Sequence, residues 1–317
     1  MRQHHFERRY QKSWQGLEVG LHDPKARLGA RFPEQYRQLC HQSALAKHRR
    51  YSPQLIDRLN ALVLQSHHRL YAHKSRDKSQ WLRFVIWGFP RTLRKNAHFV
   101  TCAVVLFLLP ALIMGLLCYF NEALIYSLMP PEAVRQLEAL YDPAARVTGR
   151  ERESDSDFLM FGFYIKNNIG VSFRTFAGGI FYGLGSVFFL VYNGLFIGGA
   201  AGHLTQLGYT GTFYPFVIGH GAFELTAITF SGAAGLKLGF ALIAPGALRR
   251  VDALRHAGRE AVHIVYGAVL MLVIAAFLEA FWSSGTHWSN AAKYGAGAAL
   301  WTFVLVYWFF AGRTDGS

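Results

Sequence analysis

The stretch from Thr175 to Phe223 contains 49 consecutive residues without a single Asp, Glu, Lys or Arg. A soluble domain covers its surface with polar and charged groups, so it does not leave so long a run uncharged. A bilayer instead needs about 20 predominantly apolar residues for each helical crossing. The sequence therefore predicts an all-α fold, a polytopic transmembrane helical bundle.

The charges that this stretch lacks are concentrated at the start of the chain. Residues 1–97 contain 20 Lys and Arg against 6 Asp and Glu, and their net charge of +14 equals that of the whole chain. Apolar residues here recur at helical spacing, as in Leu55, Leu59 and Leu62. We predict a basic cytoplasmic helical region over 1–97, ending in an interfacial helix near Trp81–Trp87. A transmembrane helical domain follows over 98–313.

The apolar runs and the charges between them predict six spans. The runs are 99–120, 158–179, 182–207, 212–242, 260–282 and 293–311. The loop 121–157 holds eight acidic residues against four arginines and is placed outside. Four arginines between Arg249 and Arg259 are placed in the cytoplasm, as the positive-inside rule requires. Both termini are then cytoplasmic. A five-span alternative lays the second run on the outer surface.

Small residues recur at every fourth position along the predicted spans. They are Gly179 and Gly183, then Gly194, Gly198 and Gly202, and further on Ser231, Gly235 and Gly239. In lipid, such spacing lets helix backbones approach closely. We interpret these residues as helix packing positions, within one subunit or across a homodimer. A glycine-lined passage for a substrate is the alternative.

Polar side chains inside the predicted spans are the candidate site, because an intramembrane charge costs about 3 kcal/mol and needs a partner or water. They are Lys166, Asn167, Asn168, Arg174, Asn193, His220, Glu224 and Glu279. Six spans place Lys166, His220 and both glutamates in the outer half of the bilayer. The lysine, with a protonated histidine, is expected to compensate the two carboxylates. The cluster is either a structural network or a site for protons, ions or a polar headgroup.

No catalytic, metal or cofactor site is predicted. His220-Gly221-x-x-Glu224 lacks the second histidine of an HExxH zinc helix, and Cys40, Cys102 and Cys118 form no CxxC pair. We therefore predict that the chain is not an enzyme. The basic region is expected to contact the anionic inner leaflet, where each nearby Lys or Arg gains about 1 kcal/mol, rather than nucleic acid.

Several motifs together resemble the stage II sporulation protein M family. They are Ile165-Lys166-Asn167-Asn168, Tyr192-Asn193-Gly194-Leu195, His220-Gly221-x-x-Glu224-Leu225 and Leu278-Glu279-Ala280-Phe281. The N-terminal region, with Tyr36-Arg37-x-Leu39, is similar to that of the longer members found in bacteria that do not sporulate. The resemblance implies no catalytic role for any matched residue.

What the resemblance implies about function is a scaffold. In the family, the sporulation protein that gives it its name holds envelope enzymes at a septum. The longer members are often encoded beside MoxR-type ATPases. We therefore expect a non-enzymatic scaffold of the bacterial inner membrane, acting in envelope maintenance as a homodimer with membrane or cytoplasmic partners. The alternative is a transporter or channel for an ion, lipid or small polar solute, built around the polar cluster.

Overall fold

The computed structural model describes residues 3–22, 31–71, 78–144, 157–285 and 288–313. Every regular element in these ranges is helical, which confirms the all-α class. The chain divides into two compact units, Met1–Gln80 and Trp81–Ser317. The sequence predicts the boundary after residue 97, whereas the structure groups residues 81–95 with the second unit. The reason is that Phe89 and Leu93 are buried in the core of that unit.

The described part of the first unit contains three complete helices: α1 (Gln3–His22), α2 (Phe32–His48) and α3 (Pro53–Tyr71). Proline occupies the first turn of both α2 and α3, where no backbone N–H is required. Phe6, Trp14, Leu39 and Leu59 are almost completely buried between the helices. The Trp14 indole N–H donates to Oε1 of Gln42 over 2.7 Å, so the largest core side chain has its polar atom paired. This unit therefore has a hydrophobic core of its own.

Short helical segments cross the boundary between the two units. The helix α4 (Lys78–Arg83) continues through a π-helical turn (Phe84–Gly88) into α5 (Phe89–Lys95). Trp81 and Leu82 are exposed, as expected of an interfacial segment whose aromatic residues lie at headgroup depth. Buried Asn96 separates α5 from α6 (Ala97–Phe120).

A hydrophilic region follows α6. It contains a 3₁₀ segment (Glu122–Ser127) and the amphipathic helix α7 (Pro131–Tyr141), whose Val134 is completely buried. The stretch 151–156 of the predicted outer loop, which includes Glu151, Glu153 and Asp155, lies outside the described residues.

Five longer helices complete the unit. They are α8 (Asp157–Ala177), α9 (Leu184–Gln206), α10 (Thr210–Ile243), α11 (Arg250–Phe277) and α12 (Asn290–Phe310). A π-helical segment (Leu278–Ser283) extends α11. The core of the unit is built around buried side chains from α6, α9, α10 and α11, among them Phe107, Leu190, Phe230 and Leu272.

Four helices in the described part of the chain are long and apolar enough to cross a membrane: Ala97–Phe120, Leu184–Gln206, Thr210–Ile243 and Arg250–Ser283. Their mean hydropathies lie between 1.4 and 2.7. The helices α8 and α12 are less apolar, because α8 carries Lys166 and Arg174 and α12 carries Lys293. The membrane character is thus confirmed, and the six-span arrangement stays a prediction.

The small residues bring helices of the same chain into backbone contact. A Cβ atom at Gly194, Gly198 or Gly202 of α9 would collide with the backbone carbonyl oxygen of Phe107, Ala111 or Gly115 of α6, respectively. The α9 glycines therefore form a continuous contact with every fourth residue of α6.

A second glycine contact joins the α8–α9 connection to α10. A Cβ at Gly179 would collide with the backbone of Gly235, and one at Gly239 with that of Gly183. Gly183 has φ +84°, which a residue with a side chain rarely adopts. Ser231 accepts a hydrogen bond from Ser172 of α8 over 2.8 Å. The close contacts of all these residues are made within the chain.

Candidate functional site

The structure brings His220, Glu224 and Glu279 together. His220 and Glu224 lie one turn apart on α10, and Glu279 lies on the π-helical extension of α11. One potential metal-ligand atom from each residue lies within 4.8 Å of the others. His220 is buried and the two glutamates are partly buried. Three of the eight predicted polar residues thus form a cluster, called here the HEE cluster.

Ser283 and Lys293 support this cluster from the side of α11 and α12. The Ser283 hydroxyl lies 2.9 Å from Nδ1 of His220 and is buried. The ammonium group of Lys293 donates to the backbone carbonyl of Ser283 over 2.8 Å. The π-helical segment therefore presents Glu279 and Ser283, four residues apart, to the same part of α10.

Tyr141, the last residue of α7, lies close to the HEE cluster. Its ring contacts Phe213 and Phe216 of α10, and its backbone carbonyl accepts a hydrogen bond from the Thr212 hydroxyl. Burial, reinforced by the negative charge of Glu279, raises the pKa of the Tyr141 phenol. The phenol is therefore neutral at physiological pH.

The remaining predicted residues do not join the cluster. Lys166 is exposed and makes no ion pair within the described part of the chain, so the expected pairing of Lys166 with the carboxylates is not found. Arg174 donates to the Gly170 carbonyl over 3.1 Å, and Asn193 donates to the Phe189 carbonyl over 2.6 Å, each on its own helix.

The two neighbouring asparagines differ in their surroundings. Asn167 is exposed and donates to Oδ1 of Asn168 over 3.1 Å. Asn168 is 2% exposed, and its Nδ2 has no hydrogen-bond partner among the described residues. A buried donor without a partner costs about 1–3 kcal/mol, so this atom requires an explanation.

A second polar network, which the sequence reasoning missed, joins α10 to α11. The Lys237 ammonium group donates to Glu260 over 2.7 Å and to Oδ1 of Asn96 over 2.6 Å. Lys95 also pairs with Glu260. Lys237 is the one lysine within the predicted span 212–242, and an isolated charge in a span is itself a signal of a site.

A further polar contact connects helix α7 to the end of α9. Nε2 of His203 lies 2.8 Å from Oε1 of Glu138, and the imidazole is only 3% exposed. His203 lies near the end of a predicted span. The sequence alone therefore did not distinguish it from a polar residue that faces water at a helix end. The pair holds α7 against the end of the bundle.

Comparison with known families assigns the two parts of the chain separately. The profile of the family described as Stage II sporulation protein M matches residues 103–284, more than half of the chain. A profile described as a domain of unknown function (DUF8413) matches residues 4–72. Neither a curated protein nor a solved structure matches the chain. The first match covers the HEE cluster and the glycine contacts, and the second covers α1 to α3.

Proposed function

Because the chain belongs to the stage II sporulation protein M family, we propose that it is a non-enzymatic membrane scaffold that recruits partner proteins in maintenance of the cell envelope. The observation that supports this proposal is the first unit, which packs its own core around Trp14, Leu39 and Leu59. A unit that has a hydrophobic core of its own can use its outer surface for binding.

The surface between α1 and α3 is the proposed binding surface. It forms a groove of about 650 Å³ lined by Glu18, Val19, Arg58, Leu62 and Gln65, among others. Arg58 pairs with Glu18 over 2.9 Å, and that hydrogen bond raises the pKa of the guanidinium group. Val19 is 74% exposed. An apolar residue beside a fixed ion pair offers a partner both area and polar specificity.

We propose six spans in a bacterial inner membrane, with both termini and the first unit in the cytoplasm. Helices α8 and α12 each have 21 residues, which at 1.5 Å per residue is enough to cross a hydrocarbon core of about 30 Å. The basic balance of residues 1–97 supports a cytoplasmic location facing the anionic leaflet.

The proposed partners are a second copy of the chain and a membrane or cytoplasmic protein such as a MoxR-type ATPase. Since the glycines face helices of their own chain, a homodimer would use a different surface. Neither nucleic acid nor a catalytic reaction is part of this proposal.

Recruitment can be tested with two matched substitutions in the first unit. Val19→Asp changes the groove, whereas Leu64→Asp changes an apolar side chain on α3 that is 58% exposed and does not line the groove. Cross-linking in membranes of the native host, followed by quantification of the MoxR-type ATPase, should show a loss with Val19→Asp only. Equal recovery with the parent and both variants would contradict the proposed surface.

The alternative function is transport of an ion or small polar solute. The observation that favours it is the HEE cluster, because intramembrane carboxylates and histidines are the usual components of proton and ion pathways. Flux into proteoliposomes that contain the purified chain tests this function. If the chain is a transporter, the parent protein should give a flux that Glu224→Gln abolishes. If it is a scaffold, proteoliposomes with the parent and with Glu224→Gln should show the same background leak.

A further inference from the structure

The HEE cluster combines three side chains that share one chemistry. Imidazole and carboxylate groups are ligands of divalent transition-metal ions such as Zn²⁺ and Mn²⁺. Their candidate ligand atoms already lie within 4.8 Å of one another, although the residues come from α10 and from the extension of α11. Ligands held at about 2.0–2.2 Å by one tetrahedral ion lie about 3.4 Å apart, so the side chains would have to move closer by up to about 1.4 Å to bind it.

The orientation of His220 fits a metal ligand. A ligating histidine usually has its second ring nitrogen fixed by a neighbouring hydrogen-bonding group. Nδ1 of His220 lies 2.9 Å from the Ser283 hydroxyl, so Nε2 would be the nitrogen that binds a metal. Ser283 is itself positioned by the π-helical segment, and π-helical segments within α-helices occur frequently at functional sites.

An independent observation comes from Asn168 on α8. Its neighbour one turn later, Ser172, contacts Ala227 and Ser231 of α10. Since α8 and α10 run in the same direction, Asn168 lies at the level of Glu224, one turn before that contact. The Asn168 amide is buried, and its Nδ2 has no partner among the described residues. A carboxylate oxygen would accept from this donor, and the flipped amide would instead offer its oxygen as a ligand.

We propose that His220, Glu224 and Glu279 bind one divalent transition-metal ion, with Ser283 orienting the imidazole and Asn168 at the same level on α8. The ion would connect α10 to the end of α11. This proposal does not depend on the scaffold function. A scaffold could hold the ion as a structural element and a transporter could carry it, and both would use the same three ligands.

The test is equilibrium dialysis of the full-length protein in detergent against Zn²⁺, with nitrilotriacetate as a metal buffer that suppresses weak binding by surface histidines. The parent should retain one more Zn²⁺ per chain than Glu224→Gln or Glu279→Gln, whose affinity at this site should fall more than tenfold. Glu138→Gln is the matched control, since it changes the His203–Glu138 pair, which offers two ligands only. It should bind as the parent does.

Two further measurements keep the proposal falsifiable if a glutamine variant folds poorly. Glu279→His retains a ligand and should keep the bound Zn²⁺, whereas Mn²⁺, which prefers oxygen ligands, should bind more weakly. Zn²⁺ should also raise the melting temperature of the parent and of Glu138→Gln. The proposal is wrong if the parent binds no more Zn²⁺ than Glu224→Gln, or if Zn²⁺ shifts neither melting temperature.

Discussion

Nζ of Lys237 lies 2.7 Å from Oε2 of Glu260, and this contact joins the C-terminal part of α10 to the N-terminal part of α11. The same ammonium group donates to Asn96, which is 2% exposed, at the junction of α5 and α6. One lysine therefore connects three segments that are distant in sequence. The side chains of Lys237 and Glu260 are 16% and 22% exposed, so water compensates little if one is removed.

Glu260→Gln is expected to lower the stability of the second unit by about 1–3 kcal/mol, because it leaves the Lys237 ammonium group without its counter-charge. The double variant with Lys237→Met should recover part of the loss, because no poorly solvated ammonium group is then left unpaired and Lys95, the other partner of Glu260, is exposed. Thermal unfolding in detergent measures both effects. Glu132→Gln is the control, because its pair with Arg135 is exposed and should contribute almost nothing. A double variant that unfolds earlier than Glu260→Gln would contradict this account.

Gly198→Ala should destabilise the protein although alanine favours helices. The new methyl group would collide with the Ala111 carbonyl of α6, and overpacking of this kind costs about 1–3 kcal/mol. Gly162→Ala on α8 is the matched control, since a Cβ there meets nothing within 4 Å, and it should be neutral or slightly stabilising. The melting temperatures and elution profiles in detergent check this prediction. Equal melting of both variants would show that α6 and α9 do not approach as closely as the structure describes.

Much of the fold follows from local sequence patterns. Apolar length predicts α6, α9, α10 and α11, and a four-residue spacing of small residues identifies the glycines that contact other backbones. These features can be predicted because each depends on residues that are close in sequence along one helix. The proximity of His220 and Glu224 follows in the same way, since residues four apart share a helix face.

The partners within the candidate site were harder to predict, because they depend on contacts between helices. Depth alone placed Lys166 with the glutamates, but depth does not determine which face of α8 a side chain occupies, and Lys166 is exposed. Ser283 carries no charge and therefore gave no signal. Glu260 lies directly after the arginine-rich segment, where an acidic residue is expected to pair with a nearby arginine at the surface. Its partner is instead Lys237 of α10.

The proposed topology predicts opposite labelling of two exposed positions. In a background without Cys40, Cys102 and Cys118, Glu132→Cys on α7 should react with an impermeant thiol reagent added outside, and Asp252→Cys on α11 should not. Asp252 is chosen because it is exposed. Its neighbour Ala253 is buried at 6% exposure and would be unreactive on either side of the membrane.

Permeabilised cells supply the control for this experiment, since both cysteines should react once the reagent reaches both faces of the membrane. Labelling of Asp252→Cys in intact cells would contradict six spans and support five. Protection of Glu132→Cys in intact cells would place α7 on the inner side and exclude both arrangements.

Lys293 contacts a residue of the HEE cluster's surroundings, whereas Lys166 is exposed. Lys293→Met should lower the melting temperature, because the ammonium group donates to the carbonyl of Ser283, whose hydroxyl contacts His220. A hydrogen bond from a charged group contributes about 1.5–3 kcal/mol, and its loss would also loosen the segment that carries Glu279. Lys166→Met is the matched control and should leave the melting temperature unchanged, because Lys166 is exposed. Thermal unfolding of both variants in the same detergent decides the point. If Lys166→Met is the more destabilising of the two, Lys166 and not Lys293 stabilises the cluster.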